Sequence, residues 1–231
     1  MLQRIKKAVG SVPIVGIALK RVYRSVVSKS GLAFHSSDQY WDDRYRKGGN
    51  SGPGSYNRLA YFKAEVLNQF VRDHGVEKVI EFGCGDGAQV RLAEYPSYIG
   101  VDVSPWAVNA CKKMYCGDTC KTFLLSTEVP SARKADLALS LDVIFHLVED
   151  EIFESYMRKM FQVAARYVVI YSSNHEQAWS DPHVRHRAFS QWVDRNQPEW
   201  QLREVIRNKY PFDPSDPDNT SFSDFFIYQR G

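Results

Sequence analysis

Residues 79–90 read Val-Ile-Glu-Phe-Gly-Cys-Gly-Asp-Gly-Ala-Gln-Val, an apolar run that ends in a turn with glycine at 83, 85 and 87. Glycine reaches φ > 0 and brings the backbone against a ligand with no Cβ in the way. An apolar strand running into such a turn and then a helix opens a nucleotide-binding βαβ unit. Two ligand chemistries fit this spacing. Gly83-x-Gly85-x-x-Ala88 satisfies the dinucleotide pattern, in which an anionic pyrophosphate such as that of NAD sits on a helix N-terminus. Glu81 followed by Gly83, Gly85 and Gly87 satisfies a second pattern, with an acid ahead of the turn. Carboxylates at Glu81 and Asp86 repel pyrophosphate and suit a ligand that carries positive charge. The next apolar run, Ser97-Tyr-Ile-Gly-Val-Asp102, also ends in an acid. A carboxylate about 20 residues past the glycines accepts hydrogen bonds from the ribose hydroxyls of an adenosine.

Glu-Phe-Gly-Cys-Gly-Asp-Gly resembles motif I of the class I S-adenosylmethionine-dependent methyltransferases, and Gly-Val-Asp-Val-Ser at 100–104 resembles their motif II. S-adenosylmethionine has no phosphate and carries an α-ammonium and a sulfonium, which fits the acids. The resemblance implies cofactor contacts from Glu81, Gly83, Cys84, Gly85, Gly87, Asp102 and Val103. It makes Asp118 the candidate acid for the adenine amine. Asp142-Val-Ile-Phe-His146-Leu resembles the motif IV region, so Leu141 is expected at the cofactor, and Asp142 and His146 where the transferable methyl points. Tyr40-Trp41-Asp-Asp-Arg44-Tyr45, ahead of a glycine-rich stretch at 48–54, is similar to a segment that many members fold over the bound cofactor. Trp41 and Arg44 are therefore expected cofactor contacts on a lid. The wider pattern, including Gly-Ser-Tyr56, Val-Arg-His-Arg at 184–187 and Ser-Phe-Ser-Asp-Phe at 221–225, resembles bacterial methyltransferases associated with surface-polysaccharide synthesis.

The reaction implied is an SN2 displacement, in which positioning alone is worth roughly 7–11 kcal/mol. An alcohol acceptor needs a base, and an imidazole with a pKa near 6.5 serves at neutral pH. His146 and His186 are the candidates, with Asp142 third. His183, Arg185 and Arg187 lie within a polar stretch that holds three of the six histidines, and arginine forks match phosphate and carboxylate. These three, with Tyr56, are assigned to substrate. The expected acceptor is an oxygen, a sugar hydroxyl or a phosphate of a surface glycan. Small-molecule O- or N-methylation is the alternative, a protein acceptor stays open, and a non-catalytic S-adenosylmethionine-binding module is the reading from another class. Nucleic acid is disfavoured: the body of the chain is net acidic, and the Asn/Asp-Pro-Pro-Tyr signature of amino-methylating DNA enzymes is absent after the fourth strand.

The elements that must hold these residues follow from pattern. Apolar runs at 78–82, 97–102, 121–125, 135–141, 166–172, 200–206 and 221–228 predict seven strands. Leu59, Phe62, Val66, Leu67, Phe70 and Val71 mark one face of a helix expected to be capped by Ser55 and ended by Gly75. Ser104 is placed to cap a helix over 105–115; others are expected at 152–165 and 189–195. The fold class is α/β, a Rossmann-like doubly wound seven-stranded sheet, mostly parallel. The closing strand pair departs from the dinucleotide fold, and the methyltransferase resemblance places the last strand antiparallel between the fifth and sixth.

A 231-residue chain that is 44% hydrophobic suits one globular domain, here 38–231. Cys84, Cys111, Cys116 and Cys120 form no Cys-x-x-Cys pair, so no metal is expected and a reducing, cytoplasmic compartment is favoured. Residues 1–37 stand apart. Arg4, Lys6, Lys7, Lys20, Arg21, Arg24 and Lys29 give residues 1–30 a charge of +7 with no acid; the whole chain is +3, so the remainder is −4. Between the basic clusters, Ala8–Leu19 is mostly apolar but too short to span a bilayer. It has the outline of a signal peptide, yet Lys20-Arg21 follows it in place of an A-x-A-like cleavage site. Such a segment suits peripheral contact with the inner face of an anionic membrane.

Overall fold

The computed structural model describes residues 34–130, 134–177 and 179–231. The basic segment over 1–30 therefore lies outside the described residues. Among those described, no helix is long and apolar enough to cross a membrane.

In chain order the elements are α1 (Ser37–Arg46), α2 (Asn57–Asp73), β1 (Lys78–Phe82), β2 (Ser97–Asp102), α3 (Pro105–Met114), β3 (Lys121–Leu125), β4 (Ala135–Leu141), α4 (Asp150–Val163), β5 (Ala164–Ser172), α5 (Phe189–Asn196), β6 (Trp200–Ile206) and β7 (Asp224–Arg230). The seven strands form one sheet in the order β3-β2-β1-β4-β5-β7-β6. All pairs are parallel except those of β7, which runs antiparallel between β5 and β6. The closing pair expected from sequence thus takes the predicted place.

Strand periodicity divides the core. Ile80, Phe82, Ile99, Val101, Ala138, Val168 and Ile170 face α4 and α5, meeting Phe153, Met157, Phe161, Phe189 and Trp192. Val79, Tyr98, Leu137, Leu139, Leu141 and Val169 face the other way, onto Phe62, Leu67, Phe70 and Val71 of α2 and Val108 of α3. Both faces are covered, which is why the central strands read as near-continuous apolar runs. β6 closes the edge with Arg203 and Glu204 exposed, a charged rim that discourages further pairing.

Several local expectations change. Ser55 does not cap α2; it ends a short 3₁₀ turn, and the N-cap is Tyr56, with no side-chain bond. The helix expected after the glycine turn is only a 3₁₀ turn, Gln89–Leu92. A phosphate-binding helix N-terminus is thus missing where a dinucleotide would need it. β5 begins at Ala164, two residues early, and β7 at Asp224, three residues late. Ser104 does cap α3, accepting from Ala107 N, with Pro105 in the first turn. Gly75 ends α2 at φ +54, and Val76 N reaches back to Val71 O.

Candidate functional site

In an open parallel sheet, ligands bind beyond the carboxyl ends of the strands, where the strand order reverses. That reversal falls between β1 and β4, and a cavity of about 480 Å³ opens there. Its floor is Glu81, Gly83 and Cys84 at the end of β1, Asp102 and Val103 at the end of β2, and Leu141, Asp142 and Val143 at the end of β4. Gly83 has φ +83, and a Cβ there would lie 2.4 Å from Val143 Cγ2. Its N–H, like that of Cys84, donates to Val101 O, which draws the turn onto β2.

The acids behave differently from one another. Glu81 is buried in the floor and accepts from the Tyr98 hydroxyl at 2.7 Å. Burial pushes its carboxyl up to about 7, against the opposing pull of that bond and of Lys63. Asp102 accepts from Gly85 N and Ser104 N, both at 2.9 Å. Burial raises it to about 6, and the backbone N–H bonds oppose the rise. Asp86 turns away from the cavity, taking Ser51 N at 2.8 Å and the Tyr56 hydroxyl at 2.6 Å. Its charge therefore fastens the 49–56 loop. Gly85 and Gly87 are also absent from the lining. Gly85 N holds Asp102, and Gly87 gives clearance to α3, since a Cβ would lie 2.9 Å from Cys111 Sγ. Asp118 is outside the cavity too, paired with Lys121.

α1 and the loop after it form the roof. Ser37, Asp38, Trp41, Tyr45, Ser51 and Ser55 line it. Ser37 docks the helix through Glu149 and the His146 carbonyl; Asp42 takes the Ser104 hydroxyl at 2.6 Å. Trp41 meets His146 edge-on at 4.8 Å. Arg44 stays behind this wall, its guanidinium 5.5 Å from the Trp41 ring centre and its Nε bonded to Asn50 O. It braces the roof and is not among the lining residues. Tyr56 also stands outside, holding Asp86.

Lys63 is a lining residue with no motif to flag it. It lies on α2, its side chain 1% exposed, with Nζ 2.8 Å from Asp142 Oδ2. Ser223 Oγ donates to the other oxygen of Asp142 at 2.8 Å. Asp142 has φ +58, a left-handed conformation that Asp tolerates better than most residues. Both of its oxygens are therefore engaged, which weakens it as a base. Gln89 completes this corner: its Nε2 donates to Ala60 O, and its buried Oε1 has no partner. At the far end Ser126, Thr127, Ile152, Tyr156 and Lys159 line the cavity. Their only sequence signal is the end of β3 and one face of α4.

His146 lines the cavity, and its Nδ1 lies 3.0 Å from His183 O. A carbonyl only accepts, so Nδ1 carries the hydrogen and Nε2 the lone pair. Burial is the main cause that lowers its pKa to about 3, reinforced by His183 and Arg44. The imidazole is thus neutral at pH 7, a hydrogen-bond acceptor more than a proton reservoir. The remaining sequence-assigned residues lie off the cavity. His186 is buried, with Nδ1 2.7 Å from Ser173 Oγ. His183 stacks on Tyr40 at 4.3 Å. Arg187, 7% exposed, donates to Leu147 O, Val148 O and Asp150, and Arg185 bonds Val148 O and Asp150. The expected anion fork is instead a clamp on the 147–150 segment. It could not be foreseen, because the carbonyls it serves are about 40 residues away in sequence.

The N-methyltransferase NodS from Bradyrhizobium japonicum WM9, solved with S-adenosylhomocysteine, superposes with a TM-score of 0.65 over 85% of this chain and 99% of its own, at 14% identity. Magnesium protoporphyrin IX methyltransferase from Synechocystis PCC 6803, also with S-adenosylhomocysteine, does so at 0.61 over 84% and 98%, again at 14% identity. The fold is that of the class I methyltransferases. EEF1A lysine methyltransferase 4 of Mus musculus is 31% identical over 81 residues, which is 33% of this chain and 31% of that protein. The chain thus spans about a third of the length of that curated relative. No family model matches. Within the methyltransferase fold, the cavity described above occupies the carboxyl end of β1, β2 and β4.

Proposed function

We propose that the chain is an S-adenosylmethionine-dependent methyltransferase that acts on an acceptor oxygen of a surface glycan, in the cytoplasm or at the inner face of the membrane. The observation that carries the enzyme reading is the cavity floor. Buried carboxylates at Glu81 and Asp102, with the unpartnered Gln89 Oε1, line a cleft whose glycine turn leads into a short 3₁₀ turn and not into an α-helix. This set of acceptors fits a ligand with positive charge and a ribose. About 480 Å³ is also in the usual range for a small-molecule site.

Bound there, S-adenosylmethionine would supply an electrophilic methyl on its sulfonium for an in-line displacement. Asp102 would take the ribose hydroxyls, and Glu81 and Gln89 the ammonium end beside Lys63. Trp41 and Tyr45 exclude water from above. Nε2 of His146 would accept the acceptor's O–H and aim the oxygen lone pair at the methyl. The new C–O bond forms as C–S breaks. With a pKa near 3, the imidazole does not retain the proton, which leaves to water. A neutral imidazole as an orienting group fits an alcohol acceptor.

Calorimetry with S-adenosylhomocysteine tests the cofactor reading, and a chain that binds none overturns it. Release of S-adenosylhomocysteine from S-adenosylmethionine in the presence of sugar acceptors separates an enzyme from a binding module. The stretch of identity with a lysine methyltransferase favours a second reading, a protein amine acceptor. Methylated lysine in acceptor peptides, with no product from sugars, would select it.

A further inference from the structure

α3 packs on β2 and β3 at one flank of the sheet, with Ala107, Val108 and Cys111 turned inward. Its outer side carries Trp106, Asn109, Ala110, Lys112 and Lys113, all exposed. Seven large apolar side chains are exposed among the described residues, and three of them, Val103, Trp106 and Met114, fall between positions 103 and 114. Trp106 is 55% exposed. Single exposed apolar residues are ordinary, but a group of them on one face marks an interaction surface.

Charge on this flank has one sign. No Asp or Glu occurs between Asp102 and Asp118. Acids of the neighbouring segments are committed: Asp42 to the Ser104 hydroxyl, Asp43 to Arg46, Glu94 to Arg72 and Asp118 to Lys121. Lys112 and Lys113 have no carboxylate partner among the described residues. Neither has Arg91, whose Nη2 lies 3.2 Å from Met114 Sδ. The opposite flank is the reverse. The loops after β5 and β6 hold six acids over 173–184 and 210–224, with no Lys or Arg. Of these six only Asp216 and Asp224 are ion-paired, to Arg58 and Arg207. The domain is thus polarised along its sheet. The segment over 1–30, with its charge of +7, joins it through α1, whose Asp42 holds the residue that caps α3.

We propose that the outer side of α3, with Trp106 as its anchor, docks the folded domain on an anionic lipid surface. Such a surface draws unpaired lysine and arginine and repels the acidic flank, which orients the molecule. Its interface also takes an indole and the apolar side chains beside it. A nucleic acid would use the cations, but Val103 and Met114 offer no ring on which a base stacks. Val103 belongs both to this face and to the cavity lining, so docking sets the rim of the cavity at the headgroup layer. The proposal rests on the membrane location given above and not on the cofactor reading.

The test uses the full chain with vesicles of phosphatidylcholine, alone or with about 30% phosphatidylglycerol, the latter also made with brominated acyl chains. Because residues 1–30 add their own attraction, the readout must be local to α3. Brominated lipid quenches an indole that enters the interface, and Trp106 is the most exposed of the five tryptophans. The anionic vesicles should quench the wild-type chain, and Trp106→Phe should lose at least about half of that quenching. The double variant Lys112→Gln, Lys113→Gln should bind the anionic vesicles at least about fivefold more weakly. Quenching retained in Trp106→Phe, equal binding to neutral vesicles, or unchanged affinity in the lysine variant would each overturn the docking face. Iodide quenching of Trp106 that a short DNA duplex suppresses and the vesicles do not would assign the face to nucleic acid and overturn it too. Calorimetry with S-adenosylhomocysteine in the absence of lipid reports separately on the methyltransferase reading, which can fail while the face stands.

Discussion

The turn at 83–87 and the loop at 173–187 both stand at the carboxyl end of the sheet, and both carry groups that suit a ligand. They use them in opposite ways. In the turn, the backbone packs against protein, through Gly83 N to Val101 O and Gly85 N to Asp102, and leaves Glu81 and Asp102 facing a cavity. In the loop, the charged side chains pack against protein. Arg185 and Arg187 serve Leu147, Val148 and Asp150, and Trp179 is left half-buried at the surface. The contrast teaches that a charged side chain beside an incomplete backbone hydrogen-bond pattern is drawn into completing it, because an unmet buried carbonyl costs about 1–3 kcal/mol. In the glycine turn the same need is met by Val101 O and by Asp102, which accepts Gly85 N and still faces the cavity.

The largest expected effect lies on the cofactor side. Asp102→Ala removes the acceptor of two backbone N–H groups and the ribose partner. S-adenosylhomocysteine affinity should fall about 100-fold, roughly 2.7 kcal/mol, by calorimetry, with circular dichroism unchanged. Retained affinity would break the assignment of the cavity.

On the other side, Arg187→Ala should act on folding. Loss of a buried guanidinium that meets two carbonyls should cost about 2–3 kcal/mol and lower Tm by about 5–10 °C. A variant with unchanged Tm but raised acceptor KM would restore Arg187 as an anion contact. His146→Ala stands between the two regions: turnover of a sugar acceptor should fall about 10- to 50-fold with cofactor affinity within threefold. His186→Ala should instead lower stability by about 1 kcal/mol, since its ring is buried off the cavity.

The smallest effect is a pH signature. Glu81 is raised from 4.5 to about 7 in the folded chain. Its contribution to stability is complete below about pH 4.5 and is lost as pH rises through 7. The apo chain should therefore lose stability over that window relative to Glu81→Gln. His146, lowered from 6.5 to about 3, works in the other direction, lost as pH falls below 6.5, and cancels in that difference. A cationic ligand favours the ionised Glu81, so S-adenosylmethionine affinity should rise between pH 6 and 8, and Glu81→Gln should flatten the rise. Equal pH profiles for both proteins would remove Glu81 from the site.

Legibility followed sequence distance. The strands were readable as seven apolar runs, the central ones buried on both faces, and the closing antiparallel pair because no helix separates 200–206 from 221–228. Asp102 and Glu81 were readable because their places are set by the strand that ends beside them. Asp118 was misplaced because its turn lies at the start of β3, whereas the cavity meets Ser126 and Thr127 at its end. Lys63 was hidden because its pattern is that of an ordinary polar position on α2, and only docking on the sheet puts Nζ against Asp142.

The amino-acid sequence by itself determined the strand and helix periods, the glycine turn and the acids that flank it, since these depend on residues within a few positions of one another. Tertiary structure alone decided which charges face the cavity and which are consumed. Those outcomes hang on contacts such as Arg187 to Leu147 and Ser223 to Asp142, between chain segments that only the closed sheet brings together.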